Sequence, residues 1–167
     1  IYTTETSPGN QTDTPKNSFD LPRSLDMTNK PRLYYPGPET FYKYWVGPKN
    51  SNIDLSLEYF SDEEITTPKL VPANKIIARF ETSHDTPTSW TITATKNDNT
   101  VISVTGTSLN SNGEAIIYYN GTTWSTSKPS LYTTTEYFKK ISLSATNSNT
   151  GKFLGVLEFS PRWAIDI

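Results

Sequence analysis

The stretch YFKKISLSAT at residues 137–146 decides the fold class, because apolar and polar residues alternate along it. Alternation with a period of two is typical of a β-strand with one buried and one solvent-facing side. A polar loop follows, and then a continuous apolar run, FLGVLEF, at residues 153–159. A short apolar run rich in Val, Leu and Phe predicts a strand that is covered on both faces. These two strands predict the closing part of a β-sandwich.

Period-two patterns recur along the chain before this point. They predict strands at residues 53–60 (IDLSLEYF), 75–82 (KIIARFET), 89–95 (SWTITAT), 101–105 (VISVT) and 115–119 (AIIYY). The dipeptide Asn120-Gly121 predicts a β-hairpin with a type I′ turn, in which both turn residues have positive φ. No stretch has a convincing helical pattern.

The sequence therefore predicts an all-β fold, an antiparallel β-sandwich of the jelly-roll type, for residues 53–167. An immunoglobulin-like sandwich is the alternative. The alternation selects the side chains that we expect in the core, namely Phe80, Trp90, Ile92, Ile141, Leu143 and Leu157.

Residues 1–52 differ from the rest of the chain and predict an extended N-terminal arm. Seven of the twelve prolines fall in this segment, and proline disfavours both helices and central strands. The alternative for the polar stretch at residues 3–17 is a disordered linker. Residues 33–46 (LYYPGPETFYKYWV) nevertheless carry an aromatic cluster that needs a surface to cover, either on this domain or at an interface. We expect this cluster to bind another protein chain in an assembly, through Tyr34, Tyr35, Phe41, Tyr42, Tyr44 and Trp45.

The composition excludes several functional classes. The net charge of −2 and a pI near 5.4, with scattered basic residues, give no nucleic-acid footprint. No run approaches the roughly twenty apolar residues of a membrane span, so membrane insertion is not expected. The chain has no cysteine, which excludes disulfides, thiolate metal sites and cysteine nucleophiles. We expect neither a metal nor another cofactor.

The residues that could carry catalysis are few, and the sequence predicts no enzyme. The single histidine, His84, is followed by Asp85, but no nucleophile motif accompanies them. The acidic run at residues 62–64 lacks the glycine turn of a calcium loop, so we interpret it as a solvated turn.

Aromatic residues beside the Asn120-Gly121 turn are candidates for a glycan platform. Aromatic faces stack on the apolar faces of sugar rings, which makes Tyr118, Tyr119, Asn120 and Trp124 the predicted ligand-binding residues. The alternative is that Trp124 and one of the tyrosines pack in the core or across strands.

Four segments in order carry a family resemblance: VPANKIIARFETSHDTPTSWTITA (71–94), AIIYYNGTTWS (115–125), YFKKISLSAT (137–146) and FLGVLEFSPRWAIDI (153–167). The series resembles a domain of virion structural proteins of large tailed phages, especially cyanobacterial phages. Those domains are similar to the discoidin (F5/8 type C, galactose-binding-like) jelly roll. Glu158 stands where the closing strand of that family often has a glutamate. The family's DG-x-x-T-x-W segment, which helps to form a cation site and a binding rim, is missing.

This resemblance implies a non-enzymatic structural module of a tailed-phage virion, in a tail, baseplate, fibre or surface-decoration protein. Its expected partners are other virion proteins, further copies of itself and host surface glycans. The alternative function is a carbohydrate-binding module of a bacterial extracellular protein. The expected location is therefore the virion, or alternatively the extracellular space or the bacterial cell surface.

Overall fold

The computed structural model describes residues 2–6, 45–47, 49–62, 66–83, 85–148 and 151–164, with the backbone alone at residues 2–6 and 45–46. Within these ranges the chain forms twelve β-strands and no helix, and so no helix that could cross a membrane. The strands are β1 (Tyr2–Thr6), β2 (Trp45–Val46), β3 (Ile53–Phe60), β4 (Val71–Ala73), β5 (Lys75–Glu81), β6 (Ser89–Thr95), β7 (Val101–Gly106), β8 (Glu114–Tyr119), β9 (Trp124–Ser125), β10 (Glu136–Phe138), β11 (Lys140–Thr146) and β12 (Gly155–Arg162).

Two five-stranded sheets enclose the core. The strand order is β1-β3-β11-β6-β7 in the first sheet and β2-β12-β5-β8-β9 in the second, while β4 and β10 form a separate pair. Every pair of neighbouring strands is antiparallel. The predicted antiparallel β-sandwich is therefore confirmed.

The alternation of the sequence builds the core directly. In the first sheet Ile141 lies between Leu57 and Ala94 in the strand register, and all three side chains are fully buried. The second sheet contributes Ile117 and Phe159 from its inner face. Five of the predicted core residues are at most 3% exposed: Phe80, Trp90, Ile92, Ile141 and Leu143.

Leu157 is the exception, and the prediction that it lies in the core is wrong. Strand β12 has a bulge, since Val156 pairs with Phe80 and Glu158 pairs with Arg79, which leaves Leu157 without a partner on β5. A bulge inserts one residue and changes which side chains face inward. Val156 is therefore fully buried, whereas Leu157 is only half-buried.

The predicted strand at residues 137–146 is divided in two at Lys139. The Lys139 N–H donates to the Thr95 carbonyl over 2.9 Å, and the Lys139 carbonyl accepts from the Tyr59 N–H over 3.1 Å. Beyond this residue β11 stays in the first sheet, while β10 turns away to pair with β4. The alternation continues through the break, so the pattern alone does not show it.

The hairpin between β8 and β9 forms as predicted, but its turn is not type I′. Tyr119 pairs with Trp124, so the connecting loop has four residues, 120–123. Gly121 has φ 97°, whereas Asn120 is not among the residues with positive φ. The Asn120 Oδ1 instead accepts the N–H groups of Thr122 (2.9 Å) and Thr123 (2.8 Å). This side-chain cap replaces the expected backbone turn.

Two strands lie within the predicted arm at residues 1–52. Strand β1 extends the first sheet beside β3, and β2 pairs with the start of β12 in the second sheet. A boundary at residue 52 thus assigns to the arm two short strands that pair with the sandwich. Residues 7–44 lie outside the described part of the chain, and the arm there stays a prediction.

Asn74 joins the corner between β4 and β5 to two other segments. Its side chain is 1% exposed, and its Nδ2 donates to the carbonyls of Thr134 and Ala164. Its Oδ1 accepts the Ala164 N–H over 3.2 Å, and its backbone carbonyl accepts the Tyr119 N–H over 2.9 Å. One buried amide therefore holds the segment after β12 against the loop before β10.

We expect Asn74→Ala to lower the free energy of unfolding by about 1–3 kcal/mol, because it leaves buried backbone groups without a partner. Urea denaturation measures this loss. Asn112→Ala is the control: the residue is an exposed loop asparagine, and its truncation is expected to change stability by less than about 0.5 kcal/mol. Equal effects of the two substitutions would contradict a structural role for the Asn74 amide.

Candidate functional site

A groove of about 420 Å³ lies between the end of β7 in the first sheet and β8 in the second. It is open because β9 pairs only with Tyr118 and Tyr119, which leaves the rest of the β8 edge uncovered by that strand. Residues 105–110 form one wall, and the other lining side chains are Trp90, Glu114, Ile116, Tyr118 and Thr126. The volume falls within the range of about 300–1,000 Å³ that is usual for ligand pockets.

The base of the groove is an indole packed against a glycine. Trp90 is 3% exposed, and its Nε1–H donates to the Ser108 carbonyl over 2.9 Å. A Cβ atom built on Gly106 would lie 2.2 Å from the Trp90 Cζ2. Only a residue without a side chain therefore lets β7 pass this close to the ring.

The loop between β7 and β8 positions the carboxylate of Glu114. The Asn110 Oδ1 accepts the N–H groups of Asn112 and Glu114, both over 2.9 Å, and the Gly113 N–H donates to the Asn110 carbonyl over 3.0 Å. The Asn110 Nδ2 then donates to the Glu114 Oε1 over 3.0 Å. Among the described residues, no hydrogen bond reaches the Glu114 Oε2, which leaves this oxygen available to a ligand.

Tyr118 lies four residues after Glu114 on the same face of β8, because every second side chain of a strand faces the same side. Its ring is half-buried, and burial raises the pKa of the phenol, with the charge of Glu114 as a smaller cause. A phenol is protonated at neutral pH, so the Tyr118 hydroxyl can donate a hydrogen bond. Within the described part of the chain its oxygen has no hydrogen-bond partner.

The four predicted platform residues do not share one face. Tyr118 lines the groove, whereas Tyr119 stacks on Trp124 with ring centroids 5.4 Å apart and an angle of 24°. The Tyr119 hydroxyl donates to the Gly121 carbonyl over 3.1 Å, and Asn120 caps the turn. The structure therefore separates Tyr118 from the other three residues.

Trp124 is held by packing and by one acidic side chain. Its ring meets Phe138 edge-on at 5.6 Å, and its Nε1–H donates to the Glu136 Oε2 over 2.6 Å. The Glu136 Oε1 lies 2.6 Å from the Lys96 Nζ, and this hydrogen bond raises the pKa of Lys96. This packing agrees with the alternative stated for the sequence, in which Trp124 and one tyrosine pack in the core or across strands. A role of the pair in glycan binding stays a prediction.

Several predicted residues lie outside the description. This applies to His84 and to Tyr34, Tyr35, Phe41, Tyr42 and Tyr44, while Trp45 is described by its backbone alone. The role of the aromatic cluster in assembly therefore stays a prediction.

The acidic candidates that are described hold loops in place. The Asp85 carboxylate is 8% exposed and accepts the Ser148 hydroxyl over 2.8 Å. Asp62 accepts hydrogen bonds from Thr66 and Thr67, which hold its pKa below the usual value. In the part of the chain that the structure describes, no three acidic or histidine side chains are grouped as a metal site would need.

Glu114, Asn110 and Gly106 were not predicted to belong to a site. Asn110 and Glu114 read as ordinary loop and strand-end residues, and only their hydrogen bond places the carboxylate in the groove. Trp90 was predicted as a core residue, which it is, but it also forms the base of the groove.

No protein-family model matches the chain, and no curated protein matches it either. Solved structures do share its fold. Chitosan-binding module 1 from a chitosanase/glucanase of Paenibacillus sp. IK-5 is 13% identical, with a TM-score of 0.54 over 95% of this chain and 92% of that one. The family 32 carbohydrate-binding module of Clostridium perfringens NanJ, solved with galactose, is 14% identical, with a TM-score of 0.54 over 94% and 90% of the two chains.

A third neighbour is much longer than this chain. A family GH29 fucosidase from Ruminococcus gnavus gives a TM-score of 0.58 at 9% identity, covering 98% of this chain but 26% of the fucosidase. The fold is that of the galactose-binding-like β-sandwiches. The discoidin-like part of the resemblance is thus supported. Two of these three neighbours are carbohydrate-binding modules by name, the third is a fucosidase, and none of the three is named as a virion protein.

Proposed function

We propose that this chain is a carbohydrate-binding module of a bacterial extracellular protein, and that the groove beside Tyr118 is its glycan site. The observation that carries the proposal is the pairing of a half-buried aromatic ring with an available carboxylate oxygen in one groove. Two structural neighbours support the proposal: one is a chitosan-binding module, and the other is a carbohydrate-binding module that was solved with galactose.

The chemistry of the groove suits a sugar. The Tyr118 ring offers a flat apolar surface and a hydroxyl donor, while Glu114 offers an acceptor for sugar hydroxyls. Thr107 and Thr126 add hydroxyl groups that both donate and accept. A few fixed polar groups beside apolar surface are the usual means of orienting a small ligand.

The proposed role is binding without catalysis. Glycoside hydrolysis normally uses two carboxyl groups that flank the scissile bond. Of the described residues lining the groove, Glu114 is the one carboxylate. The sequence-based prediction that the chain is no enzyme is consistent with this proposal. Virion partners and self-association stay predictions that the neighbours do not support.

We expect Tyr118→Ala to weaken glycan binding at least about tenfold, the usual scale for losing a central aromatic contact. A glycan array on the unmodified protein identifies a ligand, and isothermal titration calorimetry then compares the variants.

Tyr137→Ala is the matched control for this experiment. Tyr137 is 55% exposed on β10 and does not line the groove, so its removal should leave the affinity unchanged. If both variants lost the same affinity for the glycan, or if Tyr118→Ala bound it unchanged, the glycan site would lie outside this groove.

A further inference from the structure

We infer that Glu114 makes the groove selective by charge: it binds amino sugars best, neutral sugars less well and acidic sugars worst. This inference rests on the proposed function, since it assigns the ligand class of the same groove. Glu114 becomes the residue that determines specificity.

The charge distribution around the groove is one-sided. Its described lining holds one ionisable acid, Glu114, together with the phenol of Tyr118, and no lysine, arginine or histidine. A phenol is uncharged at neutral pH, and burial raises the pKa of Tyr118 further. At neutral pH the lining therefore carries a single formal charge, and it is negative.

The geometry directs that charge toward a ligand. Asn110 holds the Glu114 Oε1 at 3.0 Å and so fixes the orientation of the carboxylate. The opposite oxygen is not hydrogen-bonded by any described residue, and the side chain is half-buried. A half-buried carboxylate attracts a cationic donor more strongly than a neutral one, because the attraction between opposite charges adds to the hydrogen bond.

The basic side chains opposite this face of β8 belong to the neighbouring strand β5 and form no ion pair with Glu114. Arg79 lies opposite Glu114 in the register of β5 and β8, and Lys75 lies opposite Tyr118. No ion pair joins Arg79 to Glu114, and neither basic residue lines the groove. Arg79 is exposed to solvent, and the high dielectric constant of water reduces its attraction to Glu114.

An ammonium group on the sugar would therefore meet a positioned and unshared carboxylate oxygen. A sugar carboxylate would instead be repelled by the same oxygen and would find no cation in the lining. An acetamido or hydroxyl group would donate a hydrogen bond to the carboxylate without the added attraction between opposite charges. These three cases give the predicted order of affinity.

The test uses three oligosaccharides of equal length: glucosamine, N-acetylglucosamine and glucuronic acid oligomers. Calorimetry at about pH 5.5 keeps the sugar amino groups protonated. We expect the glucosamine oligomer to bind the unmodified protein about tenfold more tightly than the N-acetylated one. The glucuronic acid oligomer should bind most weakly.

Glu114→Gln should remove most of the tenfold preference for the glucosamine oligomer, because the substitution removes the charge and keeps an oxygen acceptor. Glu58→Gln is the matched control, since it removes the same charge from the first sheet at a residue that does not line the groove. Raising the salt concentration should weaken only the glucosamine oligomer's binding.

The outcomes separate this inference from the proposed function. In one outcome the N-acetylated oligomer binds, Tyr118→Ala removes that binding, and the glucosamine oligomer binds no more tightly. This outcome overturns the inferred preference for amino sugars and supports the proposed glycan site. An equal loss of preference in Glu58→Gln assigns the effect to overall charge and overturns the role of Glu114. Failure of all three oligomers, together with an empty glycan array, overturns both.

Discussion

Trp90→Ala is expected to lower the free energy of unfolding by about 3–5 kcal/mol, the range for truncating a large buried aromatic side chain. The ring is 3% exposed and belongs to the core cluster shared by both sheets. Its removal also deletes the hydrogen bond to Ser108, which anchors the start of the loop that forms the groove wall. The loss therefore combines a cavity with an unpaired carbonyl group.

Chemical denaturation followed by circular dichroism measures this effect. Trp163→Ala is the control, because Trp163 is 62% exposed and its loss should change stability by less than about 0.5 kcal/mol. If the two variants unfolded at the same denaturant concentration, the packing described for Trp90 would be wrong.

The fold could be predicted to a large extent from period-two alternation. Residues 53–60 show why: every second side chain, from Ile53 to Tyr59, is at most 2% exposed. In a two-layer sandwich a strand buries the same face along its whole length, so an apolar residue recurs at every second position of the sequence. Local pattern and global fold agree at these positions.

The errors arise where a strand departs from regular geometry. The bulge at Leu157 moves one apolar side chain out of the core without changing the apolar character of the run. The break at Lys139 transfers β10 to another sheet although the alternation continues. At Asn120 a side-chain cap forms a four-residue loop that the Asn-Gly pair did not predict. Each depends on contacts with residues distant in sequence or on turn details that hydrophobic periodicity does not contain.

The candidate site could be predicted only in part, for a similar reason. Tyr118 was identified because an aromatic residue beside a hairpin is conspicuous in a sequence. Tyr119 was grouped with it although neighbouring residues of a strand face opposite sides. Glu114 became important only through Asn110 and the open β8 edge, which the sequence does not reveal.

The family resemblance implied both a fold and a biological role, and the structural neighbours support only the fold. The strand series identified a discoidin-like jelly roll, and the structural neighbours share that fold. The virion context came with the resemblance and has no support from those neighbours. One fold serves many functions, so strand patterns carry the architecture further than they carry the biology.

Gly106→Ala is expected to destabilise the protein by about 1–3 kcal/mol, although the substitution adds only one methyl group. The new Cβ would lie 2.2, 2.6 and 2.8 Å from three atoms of the Trp90 ring, far inside any real contact. The ring has little freedom to move because its Nε1–H is bonded to the Ser108 carbonyl. Strand β7 or the indole must shift, and the groove between them changes shape.

The sign of this effect depends on Trp90, which provides a sharp test. Gly106 does not have positive φ, so its backbone accepts an alanine, and alanine in a strand normally costs less conformational entropy than glycine. In the Trp90→Ala background we therefore expect Gly106→Ala to be neutral or slightly stabilising. A double-mutant cycle should give a coupling energy within the range of about 0.5–3 kcal/mol that contacting residues show. Equal costs in both backgrounds would mean that the indole is not what requires a glycine at residue 106.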